Sequence, residues 1–165
     1  MEERSNSQQF CVLYGYKLSL PDHEKVLLLD KDLTLDQANE KTILIVDDNR
    51  INQVVTQRIL EQKGFQCEIC DNGTDAVDKV RLHSYDLILM DVNMPGITGL
   101  EASRMIREFN KTVPIVALTA VEIEEIREEI QLAGMNDIIV KPYDTSVFYQ
   151  VIFRNLINID LSVEL

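Results

Sequence analysis

From Thr42 onward the chain alternates short apolar runs with longer segments that are apolar only at every third or fourth position. The runs are Thr42–Val46 (TILIV), Phe65–Ile69 (FQCEI), Asp86–Met90 (DLILM), Pro114–Leu118 (PIVAL) and Asp137–Val140 (DIIV). Continuous apolar runs predict strands covered on both faces. Five helical patterns follow them in turn. Asn49–Gly64 carries Ile51, Val54, Val55 and Ile59 at helical spacing, and Gly73–His83 turns Ala76, Val77 and Val80 inward. Thr98–Phe109 offers Leu100, Met105, Ile106 and Phe109, while Glu122–Gly134 offers Ile123, Ile126, Ile130 and Ala133. The last, Thr145–Leu156, is built on Val147, Phe148, Val151, Ile152 and Leu156. Gly64 and Gly134 stand where the first and fourth helices should stop. Five strands alternating with five helices predict an α/β fold, a parallel sheet with helices on both faces.

Two flanking segments break the pattern. Phe10–Leu20 places Phe10, Val12, Tyr14, Tyr16, Leu18 and Leu20 on alternate positions, a strand signal. Ile157–Leu165 alternates in the same way. Asp30–Thr42 (DKDLTLDQANEKT) is polar and acidic and predicts a linker. The chain therefore divides into an N-terminal β-like extension and linker (1–40), a central domain (41–156) and a β-like tail (157–165). An exposed strand with an apolar face invites association. Three candidates could cover the first one: the tail, the domain surface or a second copy of the chain in a homodimer. The alternative is that residues up to about Thr42 are the cut end of a preceding domain.

In a sheet of this kind ligands bind beyond the carboxyl ends of the strands, and polar residues interrupt the pattern there. Asp47 and Asp48 follow the first run, Asp91 the third, Thr119 the fourth and Lys141 the fifth. Folding brings all five to one edge. Three neighbouring carboxylates repel one another, and a hard divalent cation relieves that. Mg2+ suits a shallow site with few carboxylates, because it takes oxygen ligands and keeps several waters. Lys141 adds a fixed positive charge and Thr119 a donor. A metal, an ammonium and a hydroxyl together match the needs of a phosphoryl group. Neither G-x-x-x-x-G-K-[ST] nor G-x-G-x-x-G occurs, so the phosphoryl group would come from a partner or a small donor. Asp91, ending a central strand, is the candidate to receive it as an acyl phosphate.

Composition narrows the setting without changing the site. The net charge of −12 argues against binding to nucleic acid or an anionic membrane surface. No apolar run approaches a bilayer span, and MEERSNSQQ lacks the apolar core of a secretory signal. Three cysteines, Cys11, Cys67 and Cys70, fit a reducing, cytoplasmic setting. The C-x-x-C at Cys67–Cys70 lies in a strand, where residues three apart point to opposite faces, so it predicts no metal site. His23 and His83 lack the company of reactive groups and read as surface residues.

The segments ILIVDDN, LILMDVNMPGITGLEA, VPIVALTA and GMNDIIVKPY, each in order at its strand end, resemble the receiver domain of two-component response regulators. The resemblance covers about Lys41 to Leu156. It implies a flavodoxin-like doubly wound sheet with strand order 2-1-3-4-5. It implies that Asp91 is the phosphoacceptor and that Asp48 is a direct ligand of Mg2+, with Asp47 acting mainly through water. The backbone carbonyl of Asn93 would complete the metal set, Thr119 and Lys141 would bind phosphoryl oxygens, and Lys141–Pro142 would be cis. The donor would be a sensor histidine kinase or a histidine phosphotransfer domain. DDNRINQVV and GMNDIIVKPY look closer to receivers of hybrid histidine kinases than to those of transcription factors, in keeping with the nine residues after Leu156. A receiver is a phosphoacceptor rather than a conventional enzyme, although the chain could be a piece of a hybrid sensor kinase. One position departs from the family: Ile138 stands where an aromatic switch residue is common.

Two other readings stay open at this point. A haloacid-dehalogenase-type phosphatase also uses a strand-end Asp and Mg2+, but needs a second Asp where this chain has Asn93. A phospho-independent pseudo-receiver would only bind partners, and an intact Asp47, Asp48, Asp91, Thr119 and Lys141 argues against it.

Overall fold

The computed structural model describes residues 38–160. It contains five strands, β1 (Thr42–Val46), β2 (Gln66–Cys70), β3 (Leu87–Asp91), β4 (Ile115–Thr119) and β5 (Asp137–Val140). They alternate with helices α1 (Arg50–Glu61), α2 (Gly73–Leu82), α3 (Gly99–Phe109), α4 (Ile123–Leu132) and α5 (Thr145–Asp160). All strand pairs are parallel, in the order β2-β1-β3-β4-β5. The order reverses beside β1, which opens a crevice between the ends of β1 and β3.

The central strands are apolar throughout because their alternate residues serve two separate cores. Leu44, Val46, Ile88, Met90, Ile115 and Ala117 pack with Val77, Leu100, Ile106, Ile126 and Ile130 of α2, α3 and α4. Ile43, Ile45, Leu87, Leu89, Val116 and Leu118 pack with Leu60 of α1 and Phe148, Val151, Ile152 and Leu156 of α5. Fully burying one such side chain is worth about 1.5–3 kcal/mol. Cys67 and Cys70 fall on the two opposite sides, as their strand spacing requires.

Helix ends follow their sequence signals. Asn49 caps α1 by accepting from the backbone N–H groups of Ile51 and Asn52, and Asn72 caps α2 through the N–H of Asp75. Thr98 and Glu101 form a reciprocal capping box on α3. Gly64 and Gly134, both at positive φ, stand just beyond α1 and α4. No helix among the described residues is long and apolar enough to cross a membrane.

Three expectations need correction. The inner face of α1 is not the apolar stripe. Gln53, Thr56 and Leu60 are buried, Ile51 is 73% exposed and Val55 44% exposed. Gln53 and Thr56 take the inner positions because both find polar partners there, described below. Met105, Phe109 and Val147 likewise lie at the surface, the Phe109 ring beneath the Arg81 guanidinium at 4.7 Å. The last helix runs on through Asp160, so Ile157–Asp160 are helical and not strand. Neither glycine nor proline occurs from Leu156 to Asp160 to stop it. Residues 161–165 of the expected tail, the strand at Phe10–Leu20, Cys11, His23 and most of the linker lie outside the described residues.

Candidate functional site

The strand ends deliver the five predicted residues to one edge, as the parallel register requires. Asp47 follows Val46, whose partner is Met90 of β3, so Asp47 and Asp91 end adjacent strands. Thr119 of β4 pairs with Val140 of β5, directly before Lys141. Asp47 is 1%, Asp91 7% and Thr119 1% exposed, while Asp48 points to solvent. Carboxylate oxygens of Asp47, Asp48 and Asp91 all lie within 4.8 Å of one another.

Lys141 holds the two buried acids together. Its Nζ donates to Asp47 Oδ2 at 2.8 Å and to Asp91 Oδ2 at 2.9 Å. Asp91 Oδ1 accepts from the backbone N–H of Asn93 at 3.0 Å. Asp47 Oδ1 accepts from the backbone N–H of Asn49 and from Asn52 Nδ2. Burial pushes the Asp91 carboxyl above its ordinary value, against the opposing pull of Lys141 and of the Asn93 N–H. Burial also works against the Lys141 charge, but its hydrogen bonds to Asp47 and Asp91 prevail and hold its pKa high. A carboxylate held in a dry setting yet kept reachable, beside a fixed ammonium, suits acceptance of an electrophilic group.

Thr119 does not cap α4. That helix begins at Ile123 after Glu122 and has no side-chain cap. Instead Thr119 Oγ1 accepts from the backbone N–H of Val121 at 3.0 Å, which leaves its hydroxyl hydrogen for another acceptor. Lys141–Pro142 is cis. Ile138 is buried in the core over α2–α4, without any polar handle.

The oxygen-only set fits a hard divalent cation. Two buried carboxylates and one exposed one, with a single lysine, leave negative charge uncompensated, and among the described residues no histidine or cysteine joins the cluster.

Several residues near the site were not singled out from the sequence, among them Asn52, Gln53, Gly99 and Tyr143. Asn52 and Val55 of α1 and Ala120, Lys141, Pro142 and Tyr143 line a cleft of about 360 Å³. The Tyr143 hydroxyl lies 3.4 Å from Thr56 Oγ1, its ring packs on Phe148 at 5.2 Å, and burial raises its pKa. Gln53 is 1% exposed and its amide donates to the Asp47 carbonyl. Gly99 opens α3 hard against the Asp91 backbone. For Asn52 and Gln53 the signal was there: polar residues one turn after an acidic strand end.

The sequence profile described as the response regulator receiver domain matches residues 43–153. The chain is 38% identical over 132 residues to the CAI-1 autoinducer sensor kinase/phosphatase CqsS of Vibrio cholerae, covering 78% of this chain but only 18% of that protein. It is similar to the receiver domain of sensor histidine kinase PA1611 from Pseudomonas aeruginosa, solved with a magnesium ion coordinated in the active site cleft. The identity is 36%, the TM-score 0.66 and the coverage 70% of this chain and 97% of that one. It is also similar to a co-crystal structure from Saccharomyces cerevisiae, the phosphotransfer protein Ypd1 with the receiver domain of Ssk1. Here the identity is 32%, the TM-score 0.61 and the coverage 66% and 83%.

Proposed function

The chain belongs to the response regulator receiver domain family, and from that premise we propose that Asp91 accepts a phosphoryl group from a phosphohistidine, assisted by Lys141, Thr119 and bound Mg2+. The observation that carries this assignment is the double hydrogen bond of Lys141 to Asp47 and Asp91 at the β1–β3 crevice. As a receiver, the chain works in a two-component phosphorelay.

An Asp91 oxygen attacks phosphorus, the P–N bond to the donor imidazole breaks, and the leaving nitrogen keeps the bonding pair. Lys141 holds Asp91 in place and then neutralises phosphoryl oxygens. The Thr119 hydroxyl donates to one of them. Asp47, Asp48, Asp91 and the backbone carbonyl of Asn93 would hold Mg2+, which when bound would offset the charge of the incoming group. The chain spans only 18% of CqsS, one of the relatives it resembles. Membership of a longer hybrid kinase, a cytoplasmic setting and a division between an N-terminal extension (1–40) and the receiver domain that follows it are further parts of the proposal.

The experiment is incubation with acetyl phosphate at several Mg2+ concentrations, read by intact mass. One stable phosphoryl group, dependent on Mg2+, is expected. Steady turnover of the donor without an adduct would indicate a phosphatase, and no change a pseudo-receiver. The metal has its own readout. Mg2+ at ten times its Kd should stabilise the fold by about 1.4 kcal/mol. That rise in melting temperature should disappear in Asp48→Ala, and equal shifts in both proteins would put the ion elsewhere.

The donor's docking surface follows from the turned α1. Ile51 and Val55 are exposed beside the cleft that leads to Lys141. An apolar helix face next to the reacting atoms suits docking of a histidine phosphotransfer protein, the kind of partner Ssk1 has in Ypd1. Ile51→Asp should weaken transfer from a phosphorylated phosphotransfer domain tenfold or more, since one good interface anchor is worth about 1–2 kcal/mol. Labelling by acetyl phosphate should not change. A matching loss with acetyl phosphate would show a damaged site rather than a lost contact.

A further inference from the structure

We infer that Gln53 is a positioning residue for the metal site, setting where Asp48 meets the cation without touching it. The inference rests on the metal reading above and adds a residue to it. Gln53 is the polar centre of the buried face of α1. Its Nε2 donates twice, to the Asp47 backbone carbonyl at 2.6 Å and to Asp71 Oδ1 at 2.6 Å, and its Oε1 accepts from Arg50 Nη1 at 3.0 Å. Both amide hydrogens are thus used. A leucine or methionine would fill the same core space without polar cost, so the amide calls for a reason.

The reason is where the sheet stops. The Asp47 N–H still donates to Cys70 of β2. Its carbonyl takes Gln53 in place of a further ladder partner and is tied through the same amide to Asp71, just past the end of β2. This fixes the peptide plane between Asp47 and Asp48. Asp47 has its side chain held by Asn49, Asn52 and Lys141. Among the described residues nothing holds the Asp48 carboxylate, which therefore depends on its backbone for position. Outer partners of ligating groups typically change metal affinity 10–100-fold.

The test is melting temperature against Mg2+ concentration, which yields Kd and metal-free stability separately. Gln53→Met should raise Kd about tenfold, and saturating Mg2+ should restore Asp91 labelling. Asp71→Ala should raise Kd severalfold, while Asp71→Asn, which keeps an acceptor oxygen, should stay within about twofold of wild type. The Asp71 pair decides the matter should Gln53→Met fail to fold. An unchanged Kd in Gln53→Met beside lost binding in Asp48→Ala would overturn the role of Gln53 and leave the metal site intact. Equal weakening in Asp71→Ala and Asp71→Asn would assign the effect to charge, against the proposal. Unchanged binding in Asp48→Ala would remove the metal site and the proposal together.

Discussion

An Asp91→Asn protein should take no phosphoryl group from any donor, and without metal it should melt higher than the wild type at pH 7. The first half is chemistry: an amide does not form the acyl phosphate. The second follows from burial, which raises the Asp91 carboxyl above its ordinary value in the fold. A raised acid binds its proton more tightly folded than unfolded. The fold is therefore penalised above the folded pKa, where Asp91 must be ionised, and the penalty vanishes below the ordinary carboxylate range. The amide escapes that penalty, and Lys141 still has Asp47. A tenfold difference in proton affinity between folded and unfolded chain is worth about 1.4 kcal/mol, and each kcal/mol moves the midpoint of a domain this size by roughly 3–6 °C. The stabilisation by asparagine should be full at pH 7 and shrink as pH falls through the folded pKa of Asp91. A variant that melts lower than wild type at pH 7, or that is still labelled in full, would remove Asp91 from the centre of the site.

The same competition between burial and charge explains what could be read from the sequence. β1, β3 and β4 were legible because a strand covered on both sides must be apolar at every position, and Asp47, Asp91 and Thr119 stood out as the first polar residues at their ends. The parallel sheet followed from alternation with helices, and its strand order from the resemblance to receiver domains. The orientation of α1 was not legible, because periodicity assigns apolar residues to the core. Beside a charged site the inner positions went to Gln53 and Thr56, whose hydrogen bonds the site supplies, and Ile51 and Val55 were left facing solvent. α5 misled in another way. Ile157 and Ile159 fit a strand alternation as well as a helix, and only the lack of a stop signal separated the two. Gln53 was passed over because periodicity gave its face to solvent, although its place one turn after Asp47 and Asp48 was itself a signal.

The close fit of α3 against the end of β3 gives the other large effect, in Gly99→Ala. A methyl at Gly99 would overlap the backbone carbonyl oxygen of Asp91 and lie 2.8 Å from its carbon and 3.0 Å from Met90 Cγ. These are mostly backbone atoms in a fully buried strand, so no side chain can swing aside. Gly99 also donates its N–H to the Val92 carbonyl at 3.0 Å, which holds the helix start in place. Either α3 withdraws or β3 shifts, and β3 carries Asp91. The cost should reach about 3 kcal/mol or more, the range of severe overpacking, and labelling should fall with it because Lys141 and Asp91 lose register. Gly96→Ala is the comparison. There φ is +79° with open space around the Cβ, so its cost is conformational only, about 1 kcal/mol. Chemical denaturation should rank Gly99→Ala well below Gly96→Ala in stability, although Gly96 lies in the loop just before α3 and Gly99 at its start. Equal losses would mean that conformational strain, and not contact with the Asp91 backbone, governs this turn.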